Sequence, residues 1–391
     1  MKKNICLVNV YQPLLGIGGI ETVSYLLKKA FKDNGYNIWD LFIFDMGLKG
    51  EYDIQIANQE QVCSKENINQ LLEIIKRHKI DIILLNGGWH NDLLNLCVKA
   101  KKSTNVKLIL TSHCHPLVRT KEYEDFKDRV LLNTHNPVLK VLKTILLAIK
   151  KIVYIKISKR KTKEFYSEYD IKNIDAFVTL CQDYAKYFRS IFPTYFRDSI
   201  YTIPNPIIIE PSDSVNKENI ILFVGRMTMQ KRLDRLLYIW QKIYKKHPEW
   251  KVVAVGDGEY IKEYKRIAKS LKLENLEFVG RQSSEEYFRK SKIACMTSSH
   301  EGLPMVLIEA QKYGCVPIAY DSYESAKDII QNNFNGLLIR PFKQKEYKIA
   351  LESLMTNEER REILAHNGSD YIKKFEITNI VKQWITLFDK I

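Results

Sequence analysis

Glu301 and Glu309 lie seven residues apart in the stretch Ser298–Ala310, with Pro304 between them. Proline lacks an N–H and has φ preset, so Pro304 suits the first turn of a helix that starts just after Glu301 and carries Glu309 inside it. The first N–H groups of such a helix are unpaired and sit at the positive end of its dipole, where phosphate binds. Carboxylates beside that end can accept hydrogen bonds from sugar hydroxyls. Together these features suit the diphosphate and sugar of a nucleotide sugar. The spacing alone describes a solvated surface helix equally well, and the flanks decide between the two. Ile293–Thr297 reads as a buried parallel strand, and 314–319 as a tight turn into the next one. The glutamates then stand at the carboxyl end of a parallel sheet, where open α/β folds bind ligands.

A second group is cationic. Gly225-Arg226 directly follows the apolar run Ile220–Val224, and Lys231 comes five residues later. Arginine as a bidentate fork and lysine as a point charge can grip a diphosphate. They also stabilise the negative charge that develops as a nucleoside diphosphate leaves. The plainer alternative is a capping arginine and a solvated lysine. Near the N-terminus, Gly16-Ile17-Gly18-Gly19-Ile20-Glu21 follows a strand and opens a helix, with Glu21 where a dinucleotide-binding fingerprint needs its third glycine. His113, followed by His115 and Pro116, ends the strand Lys107–Ser112. His90 ends another strand, in Asn86-Gly87-Gly88-Trp89-His90, placed to line the acceptor side. No Asp-x-Asp occurs anywhere in the chain.

In order and spacing these stations resemble the retaining glycosyltransferases of family 4, which have the two-domain GT-B fold. The resemblance rests on Gly18-Gly19-Ile20-Glu21, Thr111-Ser112-His113, Ile203-Pro204-Asn205-Pro206, Gly225-Arg226 with Lys231, and Glu301 with Glu309. It is close in the C-terminal half and confined to the sites in the N-terminal half. It implies that Glu309 holds the ribose hydroxyls and Glu301 those of the donor sugar. Arg226 and Lys231 do the work of a metal ion, so neither metal nor cofactor is expected. Arg281 and Gln282 flank the nucleobase, and Gly302, Leu303, Met305 and Val306 join the donor-binding set. Gly18 and Gly19 touch the donor phosphates or the acceptor. His113 meets the donor sugar, with His115 as its substitute or on the acceptor side with His90. Retention leaves two routes open: a covalent intermediate on Glu301, or same-face attack in which the departing phosphate takes the acceptor's proton.

The elements that must position these residues alternate strand and helix through both halves. The expectation is an α/β chain of two doubly wound, Rossmann-like domains facing across a cleft. The first, acceptor-side domain spans 1–203, and the nucleotide-sugar domain spans 204–376. The helix 377–391 packs back on the first. A chain of 391 residues is long enough for two such domains. Its seven cysteines show no Cys-x-x-Cys spacing and read as reduced thiols, which points to the cytoplasm. Lys2-Lys3 and the short apolar run after them read as a first strand and not as a signal peptide. No stretch approaches a membrane-spanning length.

The net charge of +15 is uneven: the first 200 residues carry 31 Lys+Arg against 21 Asp+Glu, the remainder 30 against 25. No nucleic-acid-binding module is visible. The excess gathers in 137–166, where a helical projection puts Val138, Val141, Leu142, Ile145, Leu146, Ile149, Ile152 and Val153 on one face. Lys140, Lys143, Lys150 and Lys151 fall on another, and Lys156, Lys159, Arg160, Lys161 and Lys163 follow. A basic amphipathic helix of this kind lies in an anionic membrane interface. The alternative is a helix docked on the first domain by its apolar face, with its lysines solvated.

The whole reads as a metal-independent, retaining transferase. It moves a hexose or N-acetylhexosamine from a nucleotide sugar, UDP-linked by family frequency, to a saccharide or lipid-linked saccharide. The Lys/Asn/Ile-rich composition suggests a bacterium of low genomic GC and thus cell-surface polysaccharide assembly. Rival readings are a nucleotide-sugar epimerase or hydrolase of the same fold, a nicotinamide-dependent dehydrogenase, and a non-enzymatic membrane adaptor.

Overall fold

The computed structural model describes residues 2–16, 18–47, 50, 52–87, 90–116, 130, 136–168, 171–210 and 216–391. The chain forms two compact units. The first comprises Met1–Pro116, Lys159–Ile208 and Phe375–Ile391; the second comprises Leu117–Ser158 and Ile209–Lys374. The divisions at 208/209 and 374/375 lie a few residues from the 203/204 and 376/377 expected from the sequence, and 117–158 groups with the second unit.

In the first unit, β1 (Asn4–Tyr11), β2 (Asn37–Phe44), β3 (Asp53–Gln55), β4 (Ile82–Leu85), β5 (Lys107–Ser112), β6 (Ala176–Thr179) and β7 (Ile200–Thr202) form one sheet. Its order is β3-β2-β1-β4-β5-β6-β7, and every pairing is parallel. The strands are apolar on both faces because helices cover both. Ile5, Leu7, Ile82, Leu84 and Ile109 enter one core; Cys6, Val8, Ile83, Leu85 and Leu108 enter the other. This is the period of two expected of a strand.

The last helix, Ile377–Lys390, completes the first of these cores. Trp384 and Phe388 meet Phe31 edge-on, and Phe388 also meets Tyr36. Just before it, the chain is bound to the segment that leaves the unit. Ile207 N–H donates to Phe375 O at 2.8 Å and Ile377 N–H to Ile207 O at 2.9 Å.

The second unit repeats the plan. β8 (Glu218–Val224), β9 (Lys251–Val255), β10 (Leu276–Gly280), β11 (Ser291–Met296), β12 (Val316–Tyr320) and β13 (Leu337–Ile339) pair in parallel in the order β10-β9-β8-β11-β12-β13. In each sheet the chain winds outward from its first strand, then returns and winds the other way. The reversal falls between β1 and β4, and again between β8 and β11. At such a point the two loops diverge and leave a crevice outside the carboxyl ends.

The stretch 137–166 is a helix, Pro137–Glu168. It is not docked by its apolar face. Those aliphatics are exposed, and Leu147, on the opposite side, is buried. The side chains of Lys140, Lys159, Lys163, Phe165 and Tyr166 lie outside the described residues.

Candidate active site

β8 and β11 are neighbours, so Gly225-Arg226 and the loop 297–304 leave the sheet side by side at the reversal. The two loops are joined. Ser299 N–H donates to Gln230 O at 2.9 Å, and Gln230 Nε2 donates to His300 O at 2.8 Å. Lys231 Nζ then pairs with Glu301 Oε1 at 2.8 Å, with 15% and 9% of the two side chains exposed. In an enclosure like this each charge depends on the other, and removing either partner strands the one left behind.

The floor beneath this pair is rigid. Thr297 Oγ1 donates to Arg232 O at 2.8 Å, and Arg235 Nη1 donates to Thr297 O at 3.2 Å. Arg235 is itself buried against the Phe342 ring, 3.8 Å from its centroid. Gly256 closes β9 onto the same place. With φ at 131°, it sits where a Cβ would lie 2.0 Å from Gly225 O, so only glycine fits.

Glu309 lies in the helix Met305–Lys312 and is partly buried. Loss of solvent raises its carboxyl above the ordinary glutamate range, and the charges of Lys312 and Lys231 pull it part of the way back. Lys231 thus acts on both glutamates. Pro304 stands at the N-cap and not in the first turn, so the helix begins three residues later than its sequence suggests. Leu303 is buried, while Gly302, Met305 and Val306 are partly exposed. Arg226 is exposed at the end of β8, and Arg281 and Gln282 are exposed after β10. Gln282 is held internally: its Nε2 donates to Val279 O at 3.1 Å, and its Oε1 accepts from Tyr287 Oη at 2.6 Å.

The candidate residues of the first unit also stand at carboxyl ends. Gly18 is the N-cap of the helix Gly19–Asp33. A Cβ on Gly18 would fall 2.2 Å from Glu21 Oε2, whereas one on Gly19 would meet open space. The Gly18 contact is with the far end of a flexible side chain, so packing demands glycine at neither position. Ile17, Gly88 and Trp89 lie outside the described residues.

The three histidines differ. His90 caps the helix Asn91–Lys102, its Nδ1 accepting from Leu93 N–H at 3.4 Å. His115 is only 2% exposed and packs edge-on against Tyr184, with ring centroids 5.0 Å apart. It is part of the core. His113 Nε2 meets Asn86 Oδ1, which also accepts from Thr111 Oγ1 at 2.8 Å. Asn86 Nδ2 donates to Ser24 Oγ, and Ser24 Oγ donates to Asn9 Oδ1 at 2.8 Å. With the amide oxygen of Asn86 facing it, Nε2 carries the ring proton. Nδ1 is then an acceptor, and it is buried without a partner. Burial lowers the pKa of His113 to about 4, so the ring is neutral near pH 7.

Gln230, Asn86 and Ser24 were not singled out by sequence reasoning. A polar residue ending the run Ile82–Leu85 was the available signal for Asn86, and adjacency to Lys231 was the signal for Gln230. Ser24 carried none. Among the described residues, no three His, Cys, Asp or Glu side chains converge as metal ligands would.

Comparison with known proteins bears on the same half of the chain. Residues 205–371 match the family model described as glycosyl transferases group 1. Over that span, which is less than half of the chain, it resembles the group 1 glycosyltransferases. Similar proteins include the amylovoran biosynthesis glycosyltransferase AmsD of Erwinia amylovora, 33% identical over 221 residues, which is 53% of this chain and 60% of AmsD. The α-1,4-N-acetyl-D-galactosaminyltransferase of Campylobacter jejuni that acts on an undecaprenol-diphosphate-linked GalNAc saccharide is 33% identical over 180 residues, 46% of this chain and 50% of that one. The aligned parts thus span half to about three-fifths of these relatives. Among solved structures, Anabaena HepE in complex with UDP and glucose superposes over 100% of both chains, with a TM-score of 0.75 and 13% identity. TarM of S. aureus matches over 99% of both at 0.74 and 14%. At these identities the likeness establishes the fold, two Rossmann-like units of the GT-B type.

Proposed function

We propose that the protein is a retaining, metal-independent glycosyltransferase. It transfers a hexose or N-acetylhexosamine from a UDP-linked sugar to a saccharide or lipid-linked saccharide during assembly of a bacterial cell-surface polysaccharide, such as a capsule or lipopolysaccharide. It works on the cytoplasmic side, at the membrane face where lipid-linked carriers are held. The observation that carries this reading is the enclosed Lys231–Glu301 pair at the β8/β11 reversal, with Glu309 within reach of the same lysine charge. The names of the relatives and neighbours support the donor and acceptor classes.

Each group has a part. Glu309 accepts hydrogen bonds from the ribose hydroxyls and Glu301 from the donor sugar. Arg226 and Lys231 stabilise the diphosphate as the bond between C1 and its oxygen breaks, when charge on that oxygen is greatest. His113 offers Nδ1 to a donor-sugar hydroxyl. The acceptor oxygen bonds to C1 on the face the diphosphate leaves, and its proton passes to the departing phosphate oxygen. Arg281 and Gln282 border the base, along with Gly302, Leu303, Met305 and Val306 around the donor. Gly18 and Gly19 touch the donor phosphates or the acceptor, and His90 lines the acceptor side.

The product decides the matter. A UDP-α-sugar should give an α-glycoside by NMR coupling constants, and EDTA should leave turnover unchanged. An inverted product, or activity lost to EDTA and restored by magnesium, overturns this reading. UDP should raise the melting temperature where nicotinamide dinucleotides do not, which separates it from the dehydrogenase alternative. Free epimerised or hydrolysed nucleotide sugar as the main product would favour the other rival.

A further inference from the structure

The helix Pro137–Glu168 is placed the wrong way round for a helix of a soluble protein. Eight branched aliphatics recur every three or four residues from Val138 to Val153, and each is 52–66% exposed. At 100° per residue, Val138, Leu142, Ile145, Ile149, Ile152 and Val153 fall on one side. Leu147 lies diametrically opposite and is buried, and Lys151 and Tyr154 beside it are half-buried. Lys143, Thr144, Leu147, Lys151 and Tyr154 all have interaction partners. The face bearing Leu147 and Lys151 is therefore turned inward, and the aliphatic stripe is turned out. A contiguous exposed stripe of this kind marks an interaction surface.

Charge identifies the occupant. From Pro137 to Lys163 the helix sequence contains nine Lys or Arg and no Asp or Glu. A second copy on the same stripe would set nine cations against nine. An anionic bilayer surface accepts both features, hydrocarbon taking the aliphatics and lipid phosphates taking the lysines at the stripe's margins. The Val138–Val153 stripe is about 24 Å long at 1.5 Å per residue. No described helix is long and apolar enough to cross a membrane, so the helix would lie in the interface plane.

We propose that Val138–Val153 is a membrane-docking face for anionic lipid, inserted by its aliphatics and steered by its lysines. The proposal deepens the membrane-face placement above. It rests on exposure and charge alone, and its test does not read transfer.

Flotation with vesicles of phosphatidylcholine containing phosphatidylglycerol, or of phosphatidylcholine alone, measures it. The wild type should float with the anionic vesicles, and high salt should weaken this without abolishing it, because inserted aliphatics are not screened. Ile145→Asp with Ile149→Asp should lower binding at least tenfold. Both residues are exposed, so the melting temperature and the UDP-induced shift should be unchanged. Lys150→Gln with Lys156→Gln should lower binding to anionic vesicles several-fold. In Ile149→Trp, the added indole emission should move to the blue on vesicle binding. A wild type that ignores anionic vesicles overturns the proposal, as does full retention in the double aspartate variant or an emission that does not move in Ile149→Trp. A dimer in solution that the double aspartate variant dissociates would assign the stripe to a second copy instead.

Discussion

Lys231 and Glu301 hold each other, so the two carboxylates of the site respond differently to substitution. Lys231→Ala leaves Glu301 charged and enclosed, which costs on the order of 3 kcal/mol when a buried pair is broken. It should lower the melting temperature as well as turnover. Glu309→Ala removes a partly buried carboxyl that burial already disfavours in its charged form. It should reduce kcat/KM by more than about a hundredfold, roughly 2.7 kcal/mol, with no loss of thermal stability. Steady-state kinetics beside a melting curve for each variant tests both statements; wild-type turnover in either refutes the site.

The raised Glu309 carboxyl also gives the apo site a pH sign. It takes up a proton at a higher pH than ordinary glutamate, so donor affinity should begin to fall on acidification before that range is reached. Glu309→Gln should remove this component in UDP titrations by calorimetry.

His113 makes a further residue-scale prediction, because its neutrality comes from burial and its tautomer from Asn86. Asn86→Asp replaces the amide oxygen with a carboxylate that favours imidazolium. The His113 pKa should climb from about 4 towards neutrality, visible in the imidazole NMR resonances, and a new acid limb should enter the pH–rate profile. Unchanged His113 resonances would mean that Asn86 does not hold the ring.

At the scale of elements, the longer strands are legible because they are apolar runs bounded by turn residues. β3, β7 and β13 are not, since three residues cannot display a period. Of the proposed site, the placement of Arg226, Glu301 and His113 in loops that follow strands is legible, as is that of Glu309 in the helix beyond. The partnerships are not, because Lys231 meets Glu301 across 70 residues and Asn86 meets Ser24 across 62. The long helix was read correctly as a helix with one apolar and one basic face. Its orientation depends on contacts remote in sequence, so no pattern along the chain could reveal which face turns inward.

One element carries a charge cluster that no sequence motif announced. Asp40 on β2 is fully buried and pairs with Lys28, which also reaches Asp53 at 2.6 Å. Burial outweighs the lysine and raises Asp40 to about 7. A carboxyl raised on folding stabilises the native state below its unfolded pKa and ceases to do so as pH rises through the folded value. Stability should therefore decline between about pH 4 and about pH 7 by no more than about 4 kcal/mol from this group. Asp40→Asn should flatten that decline in urea melts taken across the range.

At the scale of the whole molecule, connectivity has a consequence of its own. The chain leaves the first unit after Ile208 and returns at Phe375, and the two crossings are zipped by the Ile207–Phe375 and Ile377–Ile207 hydrogen bonds. Everything between them enters and exits through one doorway. A segment whose ends already touch can be lifted out, replaced by a homologous cassette or joined end to end without asking the remainder to refold around a gap. The residues that would hold the nucleotide all lie inside that segment. The other unit, with its own sheet, its network around His113 and its returning helix, lies wholly outside it. On the roles proposed above, the residues around the nucleotide lie in 209–374, and grafting that segment from a relative into this frame should exchange nucleotide preference while His113 stays in place.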